Sequence, residues 1–355
     1  MTPGMRVSRA TGAPPCAAGV RAGAQDRSMS TAEVPMQQAA SSAPHSDAPH
    51  GTRGADRAFR AILTMFGLTV LAVPALMVLE LIRSSRLAID KFGLGFLGGS
   101  VWDPAREEFG ALPFVYGTVV TSLIAIVLAV PVSLGLAIFL SDLAPHRIRK
   151  PLGFMVELLA AIPSVVYGFW GIAVLRPWLR DTVEPVIIEY FGYIPLFEGP
   201  PLGFGMFAAG VILAIMIVPT ITSVSREVMQ AVPQLHREAA VGLGACAWDT
   251  IRYAVLPSAR SGIIGAIILG LNRALGETMA VTMMIGNVPK VSASIFHPGY
   301  SMASVIANEF VEATSDMYVS ALSKIALLLF GVALLLNLFA RWLVSSTKSK
   351  LEKRA

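Results

Sequence analysis

The chain has 355 residues, of which 54% are hydrophobic and only 14% charged, with 28 Lys and Arg against 23 Asp and Glu. Soluble domains carry roughly 25% charge, and so few ionised side chains cannot cover a single aqueous core of this apolar content, which excludes a cytosolic enzyme. Cys16 and Cys246 lack CxxC spacing, and His45, His50, His146, His236 and His297 all fall outside the apolar segments, so the sequence holds no disulfide framework, metal site or cofactor site of a usual kind.

Residues 1–57 are rich in Ala, Ser, Pro and Gly and contain no apolar run long enough for a signal-peptide core. They are expected to form a disordered cytoplasmic tail, with Met29 and Met36 as alternative starts. A membrane helix needs about 20 mainly apolar residues to cross roughly 30 Å of hydrocarbon. Six windows meet this, at 61–82, 114–141, 151–175, 202–225, 261–289 and 319–340, so the expected fold is an all-α polytopic membrane protein with its membrane domain over 58–345. Pro74, Pro131, Pro163 and Pro219 lie inside four of the windows and are expected to kink them. The loops alternate between faces, and nineteen Lys and Arg fall on the face of the termini against seven on the other. The positive-inside rule then places both termini, including residues 346–355, in the cytoplasm, and a net charge of +5 needs no nucleic acid to explain it.

The loop before the second window mixes Phe92, Phe96, Leu97 and Trp102 with charges and glycines, and is expected to lie at the outer interface and meet another protein. In the last external loop, the spacing of Met302, Val305, Ile306, Glu309 and Phe310 suits a short amphipathic helix across the mouth of the molecule. The cytoplasmic loop over 229–258 is too patterned for a tether. Pro233 suits the start of one helix, Gly242 or Gly244 its left-handed end, and Trp248, Ile251 and Val255 share one face of a second that Pro257 is expected to stop. Two short helices joined by glycine make a knob suited to a groove in another protein.

Glu238-Ala239-Ala240, then Gly244, then Leu256-Pro257, resemble the EAA coupling loop of ABC-importer permeases, with Ala254 where that pattern usually has isoleucine. The resemblance implies the MetI-like permease fold and a loop that fits a cleft of an ATP-hydrolysing subunit. No GxxxxGK[ST] phosphate-binding loop occurs in this chain, so nucleotide must be bound by another polypeptide and the chain itself is no enzyme.

Within the windows lie Glu157, Arg273, Glu277 and Lys324, and the cost of roughly 2.5 to 3.5 kcal/mol for a central Arg, Lys or Asp directs such groups toward the bundle interior or a wet pathway. Arg273 and Glu277 are four apart, on one face of a continuous fifth helix, and suit either a structural ion pair or an oxyanion site in which the arginine supplies a planar fork of donors. On a neighbouring face Gly262, Ala266, Gly270, Ala274 and Thr278 form a small-residue stripe for close packing. Thr118, Thr121 and Ser122, with Ser164 and Tyr167 beside Pro163, are further hydroxyl donors that either line the pathway or bond their own helix backbone.

Residues 271–280, LNRALGETMA, resemble the corresponding segment of phosphate-specific ABC permeases, with Asn272 in place of an expected glycine. Residues 96–104 and 161–168 resemble the first external loop and third span of the PstC-type subunits of that family. This resemblance implies transport roles for Arg273 and Glu277 and an assembly in the bacterial inner membrane with a second, PstA-type permease subunit, two ATP-binding subunits and an extracytoplasmic phosphate-binding protein. Rival readings are a permease for another oxyanion or small solute, a self-sufficient secondary carrier, and a membrane sensor.

Overall fold

The computed structural model describes residues 53–352. The expected tail over residues 1–52 lies outside the described residues, while residues 53–57 are already helical. Helix α1, Arg53–Ser84, begins in a unit that ends at Val70. Its apolar side chains up to that point, among them Phe59, Met65 and Val70, are exposed, as suits a helix whose solvent is lipid.

From Leu71 onward the chain forms a second unit. After α1 come two short helices, α2 (Arg86–Phe92) and α3 (Gly95–Gly98), and a small antiparallel hairpin in which β1 (Trp102–Asp103) pairs with β2 (Glu108–Phe109). Helix α4, Leu112–Ile138, runs on through a π-helical turn to Leu143. Then follow α5 (His146–Ala161), and α6 (Ser164–Trp170), which continues through π turns and α7 (Arg176–Trp178) into α8 (Glu184–Phe191). Helix α9 (Met206–Gln230) is followed by α10 (Gln234–Gly242), α11 (Ala247–Thr250), α12 (Leu256–Gly276), α13 (Met279–Ile285), α14 (Met302–Glu309) and α15 (Asp316–Glu352).

Among the described residues five helices are long and apolar enough to cross a membrane, and the pair 147–161 and 164–191, bent by 91°, makes a sixth if it is one span. Of the four prolines expected to kink helices, Pro163 alone sits at a break; Pro74, Pro131 and Pro219 lie within uninterrupted α1, α4 and α9. The difference has a local cause. Ile162 is extended (ψ 129) ahead of Pro163, itself extended (ψ 139), so two successive residues leave the helical region. The fifth window also departs from expectation. Its helix starts at Ala247, passes Pro257 without stopping and ends at Gly276, after which Glu277 is extended (ψ 127) and α13 begins anew. Pro257 is tolerated because it falls just past the π-helical turn 251–255, in the opening turn of α12. At the other end of the chain α15 runs through Glu352, so residues 346–352 extend the last helix.

Helix α9 is the central element, packed between α4 and α12. Small residues allow the approach: a Cβ on Gly210 would lie 2.5 Å from Ile124 Cγ2, and one on Gly270 would lie 2.6 Å from Ile221 Cγ1. The stripe Gly262, Ala266, Gly270, Ala274 faces this contact, whereas Thr278, past the helix end, does not continue it. Beside the prolines of α4 and α9, Ser133 Oγ donates to Val218 O (3.3 Å) and Thr222 Oγ1 to Ser133 O (3.4 Å), joining the two helices.

At the hairpin end of α4 a second core collects Phe92, Phe96, Trp102, Phe109, Phe114 and Tyr318. Trp102 packs edge-on to Phe109 and Phe114, each at 4.8 Å between ring centroids, and Glu309 Oε2 accepts from Trp102 Nε1 (2.7 Å) and Tyr318 Oη (2.6 Å). The aromatic residues expected to meet a partner are therefore largely spent on an internal core; Leu97 and Leu94 remain exposed. The expected amphipathic helix forms as α14, capped by Ser301 Oγ, with Met302 and Val305 buried and Phe310 exposed. Nearby, burial raises the Tyr300 phenol above its usual range, so it stays neutral and accepts from Asn308 Nδ2 (3.1 Å).

Candidate functional site: a guanidinium at a helix break and a clamped loop

The break at Ile162-Pro163 leaves the last carbonyls of α5 short of helical partners, with only a long bond from Ile162 N to Leu159 O (3.4 Å). Tyr167 Oη donates to Leu159 O (2.8 Å) and Arg273 Nη2 to Ala160 O (3.4 Å), while Arg273 Nη1 reaches Thr220 Oγ1 (3.4 Å). A half-buried guanidinium is thus held loosely between α5, α9 and α12. The carbonyl end of a helix favours a cation there, and two long bonds leave the remaining donors of the fork available to an anion.

Glu277 does not pair with Arg273. Among the described residues the two form no salt bridge, because the chain turns extended at Glu277 and its Oε1 accepts instead from Ala280 N (3.5 Å), at the start of α13. Same-face geometry requires a continuous helix across both residues, and that helix ends at Gly276. Glu157, expected to face inward, is exposed on α5. Lys324 is buried at 7% exposure, but on the hairpin side: its Nζ donates to Ala88 O (3.1 Å) and Gly93 O (2.9 Å) and lies 4.4 Å from the centre of the Phe96 ring.

The hydroxyl candidates separate into two groups. Ser164 and Tyr167 open α6, at the same break as Arg273. Thr118 Oγ1 donates to Phe114 O (2.8 Å) and accepts from Met302 N (2.9 Å), and Thr121 Oγ1 donates to Gly117 O (2.8 Å). Ser122 Oγ is buried without a partner among the described residues. Gly210 of α9 packs at the level of Thr121 and Ile124, so this group lies about ten residues of α9, ~15 Å, from Thr220.

Helix α10 ends as its glycine demands. Gly244 (φ +88) donates to Val241 O (2.9 Å) and Ala245 N to Ala240 O (3.0 Å), a left-handed cap that satisfies the terminal carbonyls. Glu238 and Ala239 are exposed and Ala240 half-buried; Leu256 is half-buried and Pro257 exposed. Leu235, Val241, Leu243, Trp248 and Tyr253 expose apolar side chains around them, Leu243 at 90%. Such a concentration on one loop marks an interaction surface. The inner face is tied down: Arg237 pairs with Asp142 at the end of α4 and donates through Nη2 to Met229 O (2.8 Å). Sequence reasoning missed Asp142, Thr220 and Ala160; a lone acid between an apolar window and the basic run Arg147, Arg149, Lys150 was the available signal for the first.

Residues 133–349 match the model of the family described as binding-protein-dependent transport system inner membrane component. The chain belongs to that family. Similar relatives are the phosphate transport system permease protein PstC of Mesorhizobium japonicum (45% identical, over 81% of this chain and 90% of the relative) and that of Haemophilus influenzae (42%, over 82% and 95%). A probable PstC of Methanocaldococcus jannaschii is 37% identical over 71% of this chain and 81% of its own. Among solved structures, the MetNI methionine ABC transporter in an inward facing conformation superposes with a TM-score of 0.51 at 15% identity, covering 66% of this chain and 94% of that one, a likeness of fold alone. As a membrane component of such a transport system, the chain is a permease subunit that works with an ATPase and other components and is not itself an enzyme.

Proposed function

We propose that this chain is the PstC-type permease subunit of an ATP-driven importer that carries inorganic phosphate across the bacterial inner membrane. The observation that carries the reading is 45% identity to a phosphate transport permease across 81% of the chain; the loosely held Arg273 guanidinium at the helix break adds a chemically suitable group. Its partners in this reading are a PstA-type permease subunit, two ATP-binding subunits and an extracytoplasmic phosphate-binding protein, with both termini and α10 in the cytoplasm. The exposed apolar surface around Glu238 docks on an ATP-binding subunit. ATP-driven closure moves α10, and through Arg237 and Asp142 the motion reaches α4, so that access to Arg273 alternates between the two sides.

Labelled phosphate uptake by the complete complex in proteoliposomes tests this directly. Uptake should require ATP and the receptor and should be suppressed by unlabelled phosphate. Suppression by sulfate or molybdate but not phosphate would overturn the substrate, and concentrative uptake by the chain alone would overturn the mechanism.

A further inference from the structure

On the α10 side of the molecule, behind the exposed docking surface, lies a polar crevice of about 410 Å³ lined by Ser141, Asp142, Arg149, Gln230, Gln234 and Arg237. Its walls come from four elements: the end of α4, the first turn of α5, the end of α9 and the start of α10. Two guanidinium groups face a single carboxylate. Asp142 divides its oxygens between Arg237 and the Ser141 hydroxyl, so it compensates one arginine and not the other. Arg149 spends Nη2 on Ala144 O (3.2 Å), and its Nε is buried without a partner among the described residues. Among the described residues neither Gln230 nor Gln234 has a side-chain hydrogen bond, which leaves two carboxamides to donate into the same space. The N-terminus of α5 has no side-chain cap and adds its positive end to the field.

A buried donor without a partner is costly unless something fills the space beside it. Net positive charge, a planar fork and free carboxamides favour a tetrahedral oxyanion over a neutral or cationic occupant. We propose that this crevice binds a phosphate-class oxyanion between Arg149 of α5 and Arg237 of α10, and that its occupancy braces α10 and slows transport. The inference rests on the phosphate-importer reading for its regulatory meaning, because the crevice then opens to the cytoplasm and senses the product of import. The site itself rests on the geometry alone. Inorganic phosphate and the headgroup of an anionic lipid share the required chemistry, and the first turn of α5 lies next to the end of a membrane span, within reach of both.

The test uses the membrane complex of permease and ATP-binding subunits without the phosphate-binding protein, carrying Arg273→Gln, which removes the pathway guanidinium, in nanodiscs of zwitterionic lipid. Equilibrium binding of labelled inorganic phosphate should persist there, weaken at least tenfold on adding Arg149→Gln, and recover in part with Arg149→Lys; an unchanged thermal midpoint shows that the variants fold. Arg149-dependent binding that disappears when phosphatidylglycerol is included identifies the lipid headgroup as the occupant. Phosphate binding that ignores Arg149, or no binding in either lipid, overturns the site and leaves a water-filled crevice. For regulation, initial receptor-stimulated ATP hydrolysis is measured in proteoliposomes with and without phosphate on the ATPase side. The ratio should fall at least threefold with Arg149 present and stay near one in Arg149→Gln; equal ratios overturn the braking role. If the complex with Arg273 intact fails to import phosphate while Arg149-dependent binding is kept, the importer reading is refuted and the site is not.

Discussion

Asn272 on α12 and Asn337 on α15 exchange two amide hydrogen bonds, Asn272 Nδ2 to Asn337 Oδ1 at 2.8 Å and Asn337 Nδ2 to Asn272 Oδ1 at 2.9 Å. Asn337 Nδ2 also donates to Ala333 O (2.9 Å), and the pair borders a cavity of about 400 Å³ lined mainly by apolar residues such as Leu275, Leu329 and Phe330. The pair fixes how α12 is rotated against α15, and Arg273 is the next residue. Position 272, where the sequence resemblance implies a glycine, thus carries an amide whose partner is 65 residues away.

Replacing one asparagine by leucine strands the other amide in an apolar setting, whereas replacing both removes the need for a partner. Asn272→Leu and Asn337→Leu should each lower stability in detergent by about 1 kcal/mol, and the double variant by less than the sum, with a coupling of at least ~0.5 kcal/mol. Additive losses in thermal melts would mean that the two amides act separately.

At the helix break, Arg273→Gln should reduce uptake at least tenfold with complex assembly intact, and Arg273→Lys should not restore it, because an ammonium lacks the planar fork. Since Glu277 is not its ion-pair partner, the exchanged variant Arg273→Glu with Glu277→Arg should remain inactive. Recovery of uptake in that exchange would reinstate a direct pair.

The α10 loop makes two separable predictions. Glu238→Arg should release the ATP-binding subunit in a pull-down, as it alters the exposed face. Arg237→Gln should leave the complex together but uncouple ATP hydrolysis from uptake, because it cuts the tie to Asp142 on the inner face. Retained coupling would assign the transmitted motion to other contacts. Gly244→Ala should cost about 1 kcal/mol through its left-handed backbone.

Lys324 holds the carbonyls at Ala88 and Gly93 and so anchors α2. Lys324→Met should accelerate limited proteolysis within residues 86–99 at least severalfold. Cleavage at the parent rate would show that the surrounding aromatic core holds the segment without it.

Membrane residence, helical class and the glycine-capped loop were legible in the sequence because they rest on local chemistry. An apolar run of twenty residues has no other stable solution in lipid, and Gly244 is free to adopt a positive φ where other residues strain. Arg273 stood out for the same reason, as a charge where charge is expensive. The partners of these groups were not legible. Helical spacing predicted a face shared by Arg273 and Glu277, but α12 ends between them, and Arg273 meets Thr220 and Ala160, 53 and 113 residues distant. Lys324 carried the same sequence signal as Arg273 and proved to be an anchor on the hairpin side. Composition and periodicity act within a few residues and so determined which segments are helices and which groups need a partner. Tertiary packing alone decided who those partners are, because each contact joins helices brought side by side from distant parts of the chain.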